Sequence, residues 1–302
     1  MRVRPATEAD VPALKSYLRD HVDVAMFALA NLTNDGLGTF GARQMRFWLA
    51  LDGDRIAGAL GLSGAGFLLP VLGTAADVLA AHARGFLANE RLIGISAEAD
   101  QAALLIESLG VTAPFARDAN EPGFTLDLDQ IIMPPADGAK LLRPTQNDRP
   151  LLIDWRAHYH VEVLGTAPGE ARAAATQDID AYLQIDSHRI LEVSGTPVAM
   201  TGFNAILPDV VQVGGVYTPP ALRGKGHARL ALALHLVEAR EKGVGRAVLY
   251  AFSEPAARAY MRRRPKRDPI MASERYNAPV TEKHWQKVWA EKATFKTATD
   301  PS

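Results

Sequence analysis

The sequence contains no cysteine among its 302 residues. Disulfide bonds, thiolate ligands for zinc and a covalent acyl-cysteine intermediate are therefore excluded. The chain also has no excess of either charge, because its 33 basic and 34 acidic residues nearly cancel. The net charge therefore gives no reason to expect a nucleic-acid partner. No apolar run approaches the roughly 18 residues of a membrane span, and the N-terminus has no signal-peptide core. These absences predict a cytoplasmic protein with no membrane association.

The length favours two domains, because a typical domain has about 100 to 200 residues. An internal sequence similarity supports this division. Arg4-Pro5 and Arg143-Pro144 each begin a short strand pattern, and each is followed by a helix start that contains a proline. Between the two, Pro134-Pro135 interrupts the sequence. We therefore predict a first unit at 1–130, a linker at 131–139, a second unit at 140–265 and a polar tail at 266–302.

Each unit also contains a hairpin signal. Residues 45–51 and 55–62 flank Asp52-Gly53-Asp54, and residues 190–193 and 198–203 flank Ser194-Gly195-Thr196-Pro197. Short β-rich runs separated by such turn residues are typical of antiparallel strand pairs.

The most informative segment is 223–228, which reads Arg-Gly-Lys-Gly-His-Ala. It lies between a β-branched stretch that ends at Thr218 and an apolar run at helical spacing that starts at Leu230. The first N–H groups of such a helix are unpaired, and the helix dipole favours anions there. Gly224 and Gly226 allow a ligand to approach the backbone closely. The segment therefore predicts a diphosphate site.

Two familiar phosphate motifs do not fit these residues. The P-loop requires lysine and a hydroxyl residue after its second glycine, but Gly226 is followed by His227 and Ala228. The dinucleotide motif G-x-G-x-x-G fails because Arg229 occupies the position of the third glycine.

The pattern Arg-x-x-Gly-x-Ala at 223–228 resembles the pyrophosphate loop [QR]-x-x-G-x-[GA] of the GNAT superfamily, the GCN5-related N-acetyltransferases. The order of strand, loop, helix and strand (246–252) around it is similar to that family as well. A following helix start at Ser253 carries Ala256 and Tyr260. These resemble the family motif N-x-x-A-x-x-x-Y, with Ser253 where asparagine is usual.

The resemblance implies an α/β (α+β) fold of two tandem GNAT-like acyl-CoA N-acyltransferase units, with mixed, mostly antiparallel sheets flanked by helices. It implies an acetyl-CoA-dependent N-acetyltransferase that uses no metal and moves the acetyl group directly to an amine within a ternary complex. The acceptor is a small molecule or a peptide, and both a monomer and a homodimer remain open. The alternative is a non-catalytic acyl-CoA-binding or regulatory module, and a mononucleotide-binding protein is a weaker rival.

The resemblance also implies roles for individual residues. Tyr260 would protonate the departing CoA thiolate, because a phenol is a neutral acid at pH 7. Glu192 is one candidate for the base that deprotonates the amine, and Asp209 and the pair His158 and His160 are others. The two histidines face different sides of a helix, which favours surface histidines over a shared metal. The residues expected to bind acetyl-CoA are Val216, Tyr217, Thr218, Arg223, Gly224, Lys225, Gly226, His227, Ala228 and Ser253.

The first unit lacks a comparable loop. After its apolar stretch 67–72 it reads Gly-Thr-Ala-Ala-Asp at 73–77, without an arginine or paired glycines and with an acidic residue near the helix start. Because an anion would be poorly held there, we expect one cofactor site, in the second unit, and a degenerate first unit.

The C-terminal region departs from the family. After Tyr260 the family continues into two apolar strands, whereas this chain has a basic run at 262–267 and polar sequence with at most a short helix at 281–292. Without those strands, the strand predicted at 246–252 is expected to be an exposed sheet edge.

Overall fold

The structure is a computed structural model that describes residues 1–251 apart from 113, 116 and 117. Within those residues the chain forms eleven strands and seven α-helices. In chain order they are β1 (Arg2–Pro5), α1 (Val11–Asp20), α2 (Val22–Asn34), β2 (Met45–Asp52), β3 (Arg55–Ser63), β4 (Phe67–Val71), α3 (Ala76–Phe86), β5 (Gly94–Ile95), α4 (Ala99–Leu109), β6 (Gly123–Asp127), β7 (Ala139–Leu142), α5 (Arg149–Glu162), α6 (Pro168–Ile185), β8 (His188–Val193), β9 (Thr196–Ile206), β10 (Val210–Tyr217), α7 (His227–Glu241) and β11 (Arg246–Tyr250).

The strands form two sheets, one of five strands in the order β1-β2-β3-β4-β5 and one of six in the order β6-β11-β10-β9-β8-β7. All neighbouring strands are antiparallel except β4 with β5 and β10 with β11. Both sheets follow the same order of elements, a strand, two helices, three strands, a helix and a strand. The predicted tandem units with mixed, mostly antiparallel sheets are confirmed.

Both predicted hairpins form. In the first, Asp52 pairs with Arg55 across a turn in which Gly53 has a positive φ of 59°. In the second, Val193 pairs with Thr196, and both turn residues have positive φ, 50° at Ser194 and 80° at Gly195. Turns with this backbone twist match the twist of antiparallel strands, which explains their use here.

Strand β6 corrects the expectation of an exposed edge. It lies within the predicted first unit, yet it pairs antiparallel with β11 of the second sheet along its whole length, from Gly123 opposite Tyr250 to Asp127 opposite Arg246. Phe124 and Leu128 then join the apolar cluster under α7. The expectation failed because sequence patterns report local structure, whereas this pairing joins residues about 120 positions apart.

The two sheets share apolar contacts. Helix α2 is apolar on most of its surface, and its buried residues cluster with residues of β2 and β4. The same cluster contains Ala205, Val210 and Val248 of the second sheet and Leu207 of the β9–β10 turn. At the edge of this contact Arg19 pairs with Asp209, and the Tyr250 hydroxyl donates to the carbonyl of Asp23. The units are therefore joined by a common core.

Residues 131–138 carry neither helix nor strand, and β7 begins at Ala139, close to the predicted start of the second unit. In the described part of the chain, no helix combines the length and the apolar character that crossing a membrane requires.

Candidate active site

The centre of the second sheet contains an interrupted strand. Pairing of β10 with β11 extends only from Val210 to Gln212. On its other side, pairing with β9 is irregular between Gly214 and Tyr217. The end of β10 therefore has an incomplete ladder, at the position of two consecutive glycines, Gly214 and Gly215. Such a segment can offer backbone groups to an extended ligand.

The phosphate loop, residues 223–228, directly follows this strand through a short 3-10 turn at Pro220–Leu222. Gly224 and Gly226 both adopt left-handed backbone angles, with φ of 78° and 80°, and a Cβ on either would meet nothing within 4 Å. Helix α7 begins at His227, and its first turn points its N–H groups into the exposed loop. The glycine conformations and the helix start that the predicted anion cradle requires are therefore present, and binding of an anion there stays a prediction.

Arg223 is already partnered in this structure. Its Nε donates to the carbonyl of Thr218 at 2.9 Å, and its Nη2 donates to Glu162 Oε2 at 2.5 Å. Glu162 Oε1 in turn accepts the Tyr217 hydroxyl at 3.1 Å. The last residue of α5 is thus tied to the phosphate loop. Arg223 is one of the residues expected to bind acetyl-CoA, and in this structure a carboxylate neutralises part of its charge.

We predict that Glu162→Gln tightens binding of CoA two- to fivefold. The amide removes a negative charge that competes for Arg223, and its carbonyl can still accept the Tyr217 hydroxyl. A half-exposed ion pair is worth about 0.2–1 kcal/mol, which sets this range. Calorimetric titration of CoA measures the effect.

The matched control for that experiment is Asp154→Asn. It breaks the exposed ion pair between Asp154 on α5, the helix that also carries Glu162, and Arg172 on α6. This pair does not involve the phosphate loop. CoA affinity should not change in this variant. Equal affinities in the Glu162 variant and the wild type would contradict the competition.

The three strand-end residues predicted to bind the cofactor have different surroundings. Tyr217 is buried against Ile190 and Met200, and burial together with the neighbouring Glu162 raises its pKa to about 12, so its hydroxyl stays protonated. Val216 is half-buried. The Thr218 hydroxyl is buried without a hydrogen-bond partner. The side chain of Tyr217 therefore serves the core, and only its backbone remains a candidate for contact with a ligand.

Glu192 does not lie beside the interrupted segment. Ile190 pairs with Met200, which pairs with Tyr217, the last residue of β10. Glu192 pairs with Pro197, so it lies on β8, two strands from β10 and past the end of that strand. Its role as a base stays a prediction.

The other base candidates are also placed by the structure. Asp209 lies at the opposite end of β10 and pairs with Arg19 of the first unit. His158 is exposed, as expected. His160 is not a surface histidine: it is buried, with Nε2 at 2.9 Å from Asp178 and Nδ1 at 3.0 Å from Thr166. It faces inward because α5 packs against α6 at this point.

Ser253 and Tyr260 lie outside the described residues, as does the predicted tail at 266–302. Their roles stay predictions.

The corresponding region of the first unit is closed. The backbone N–H of Leu72, which follows β4, donates to the Gln101 side chain of α4 at 2.8 Å. Gly73 has a positive φ, but a Cβ there would meet the Ala57 carbonyl and the Tyr17 hydroxyl. The backbone N–H of Leu72 is thus already hydrogen-bonded within the first unit. Loss of a cofactor site from this unit stays a prediction.

Sequence reasoning missed His188. This residue pairs with Gly202, which pairs with Gly214, so the imidazole stands at the level of the interrupted segment. A lone histidine at the start of a strand carries no motif. The glycines at 202 and 214–215 were the signal, because each leaves room that a neighbouring side chain fills.

Residues 151–264 match the family model described as "Acetyltransferase (GNAT) family". This chain carries a GNAT domain. The matched range contains the interrupted strand, the phosphate loop and α7. Among curated proteins, no match to the chain is found.

Solved structures are similar in fold to most of the chain, including the first unit. A Drosophila protein of 13% identity superposes with a TM-score of 0.55 over 85% of this chain and 92% of its own. A GCN5-related N-acetyltransferase from Sphaerobacter thermophilus, 18% identical, gives a TM-score of 0.50 over 86% and 91%. A tandem GNAT protein from the clavulanic acid biosynthesis pathway, 14% identical, gives 0.49 over 86% and 93%. At these identities the first two show a shared fold.

Proposed function

We propose that this protein is an acyl-CoA-dependent N-acetyltransferase that transfers an acetyl group from acetyl-CoA to an amine. The proposal is carried by one observation, the interrupted end of β10 that continues directly into a glycine-lined anion cradle. A strand with unpaired backbone groups suits the amide-bearing pantetheine arm, and the cradle suits the pyrophosphate. The match to the GNAT family supports the same assignment.

In this proposal residues 223–228 hold the pyrophosphate and the backbone of Val216 and Thr218 aligns the pantetheine arm. The sequence has no cysteine, which excludes an acyl-cysteine intermediate and leaves direct transfer or another nucleophile. In this proposal the amine attacks the thioester directly within a ternary complex. The acceptor is a small-molecule or peptide amine. A cytoplasmic location, and a monomer or a homodimer, remain expectations.

The decisive experiment is calorimetric titration of acetyl-CoA into the full chain, combined with a thiol-release assay over a panel of amines. We expect binding and, with at least one amine, release of CoA thiol. Binding without release for any amine would favour the non-catalytic acyl-CoA-binding module. A preference for ATP over CoA, or no binding of CoA, would overturn the proposal.

The role of Tyr260 has its own test. Tyr260→Phe removes the hydroxyl proposed to protonate the leaving thiolate, and a general acid is worth about 10²–10⁴-fold in rate. We expect slower turnover, because the thiolate is then the leaving group, with CoA affinity unchanged. Unchanged turnover would remove the tyrosine from the mechanism.

A further inference from the structure

Three glycines form a floor beside the interrupted segment of β10. Gly202 lies on β9, and Gly214 and Gly215 lie on β10. Two polar side chains rest on this floor: a Cβ on Gly202 would overlap the His188 ring, and a Cβ on Gly214 would overlap the Asn204 carboxamide. Asn204 is exposed, whereas His188 is buried. The floor thus has one polar group open to solvent and one enclosed beneath helix α6.

The enclosed group has an unsatisfied nitrogen. His188 Nδ1 lies 2.8 Å from the hydroxyl of Ser187, but Nε2 is buried and has no hydrogen-bond partner. Nε2 lies against the backbone at Gly215, where a Cβ would come within 2.6 Å of it. A buried donor or acceptor without a partner costs about 1–3 kcal/mol. The folded protein therefore carries an unsatisfied polar atom next to the segment of β10 where regular strand pairing ends.

The tautomer of His188 follows from the number of polar groups of His188 and Ser187 that each tautomer leaves without a partner. Ser187 is fully buried, and within the described residues its hydroxyl forms a hydrogen bond to His188 alone. If the hydroxyl donates to Nδ1, the ring proton is on Nε2 and a single donor is left without an acceptor. The other tautomer leaves the serine O–H unpaired as well as the Nε2 lone pair. The favoured ring therefore presents an N–H toward Gly215.

The surroundings of the ring keep it neutral. Burial lowers the pKa of His188 well below its usual value, and the positive charge of Arg156 lowers it further, with smaller contributions from His235 and Arg189. The phenol ring of Tyr182 stacks on the imidazole with ring centroids 3.6 Å apart, and the Arg156 guanidinium lies over the rings of Tyr182 and Tyr159. A neutral imidazole is a poor proton acceptor here and a fixed hydrogen-bond donor.

We propose that the Nε2–H of His188 donates a hydrogen bond to the carbonyl oxygen of the acyl thioester and stabilises the oxyanion during transfer. This inference rests on the proposed function, which lays the pantetheine arm along the end of β10. It adds a catalytic residue that no sequence motif marks.

The step balances without a change in the protonation of His188. The amine lone pair attacks the carbonyl carbon, and the π electrons of the carbonyl move to the oxygen that faces Nε2–H. When the carbonyl re-forms, the C–S bond breaks, its electron pair leaves on sulfur, and sulfur takes a proton from the proposed acid Tyr260. The attacking nitrogen releases one proton to solvent, and the Tyr260 phenolate takes one proton back from solvent, so the protons balance. The fixed donor acts where negative charge develops, which is the principle of an oxyanion hole.

The first test is NMR of the full chain labelled with ¹⁵N-histidine, in which the His188 Nε2–H signal is identified by its loss in His188→Phe. Saturating acetyl-CoA should move this signal downfield, whereas CoA, which has no thioester carbonyl, should leave it near its position in the free protein. The same response to both ligands, or a ring without a proton on Nε2, would overturn the inference. If calorimetry shows that neither ligand binds, the proposed function itself fails. If both bind and the signal does not distinguish them, the His188 role alone fails.

The second test compares two buried histidines on opposite faces of the same sheet. His188→Phe should lower kcat about 100-fold, the loss typical of one oxyanion donor, with CoA affinity and the thermal midpoint retained. His235 on α7 stacks on Phe203 at 3.9 Å and also has an unpartnered ring nitrogen, so His235→Phe is the matched control and should keep kcat. Equal losses in both variants would indicate packing. Glutamine at 188 supplies an N–H donor and should recover part of the rate, and equal rates for glutamine and phenylalanine would count against a donor role.

Discussion

Replacing Gly226 with valine is expected to weaken the binding of acetyl-CoA by about 100-fold or more. Gly226 precedes helix α7 with φ of 80°, a conformation that a β-branched residue adopts only at a cost of about 1–3 kcal/mol. The added side chain would also project into the open space of the cradle, where the phosphate oxygens are proposed to lie. Both effects weaken binding. The side chain occupies the space proposed for the phosphate, and a backbone that relaxes to relieve the strain moves the first N–H groups of the helix away from it.

The opposite end of the same helix supplies the control. Gly243 has φ of 96° and a Cβ there would meet nothing within 4 Å, so Gly243→Val introduces comparable strain in comparable space. Calorimetric titration of acetyl-CoA, with thermal melting of each variant, separates the two positions. Gly243→Val should melt earlier and bind normally. Full affinity in the Gly226 variant would remove the loop from the proposed site.

Replacing Phe124 with alanine is expected to destabilise the whole protein by about 3–5 kcal/mol, the usual cost of deleting a buried phenylalanine. Phe124 is buried on β6 and packs in the cluster beneath α7. It belongs to the strand that covers β11, and the two sheets share a core around α2. For a chain of this size each kcal/mol lowers the thermal midpoint by about 2–4 °C, so we expect a drop of roughly 10 °C in one transition.

Phe40→Ala is the control for that measurement, because the Phe40 side chain is fully exposed and its removal should change the midpoint little. Differential scanning calorimetry also tests the common core. Two separate transitions, of which only one is shifted by Phe124→Ala, would mean that the units unfold independently.

The local parts of this fold and site could be predicted from the sequence. The hairpin turns at 53 and at 194–195 and the glycines at 224 and 226 depend on the backbone freedom of single residues, which composition reports directly. The start of α7 follows from apolar periodicity, and the bulge in β10 from paired glycines. These features belong to neighbours in the chain, and the structure has each of them where the pattern indicated.

The remaining features depend on contacts between distant residues. Nothing in the segment around Phe124 indicates that its partner is β11 rather than a strand of its own unit. Glu162 reaches Arg223 only because α5 ends beside the phosphate loop, and His188 gains its surroundings from α6 and from Gly202 and Gly215 on other strands. Hydrophobic pattern and secondary-structure propensity carry no information about such tertiary contacts.

The pairing of β6 with β11 also bears on synthesis of the chain. The ribosome finishes β6 about 120 residues before it finishes β11, which at typical elongation rates is on the order of ten seconds. Throughout that interval the nascent chain exposes a strand whose hydrogen-bonding partner has not been made. A gene fragment that starts at the predicted linker would lack the strand altogether. Translation speed across the second half, and the choice of cut site in any transplanted domain, should therefore govern the yield of folded protein.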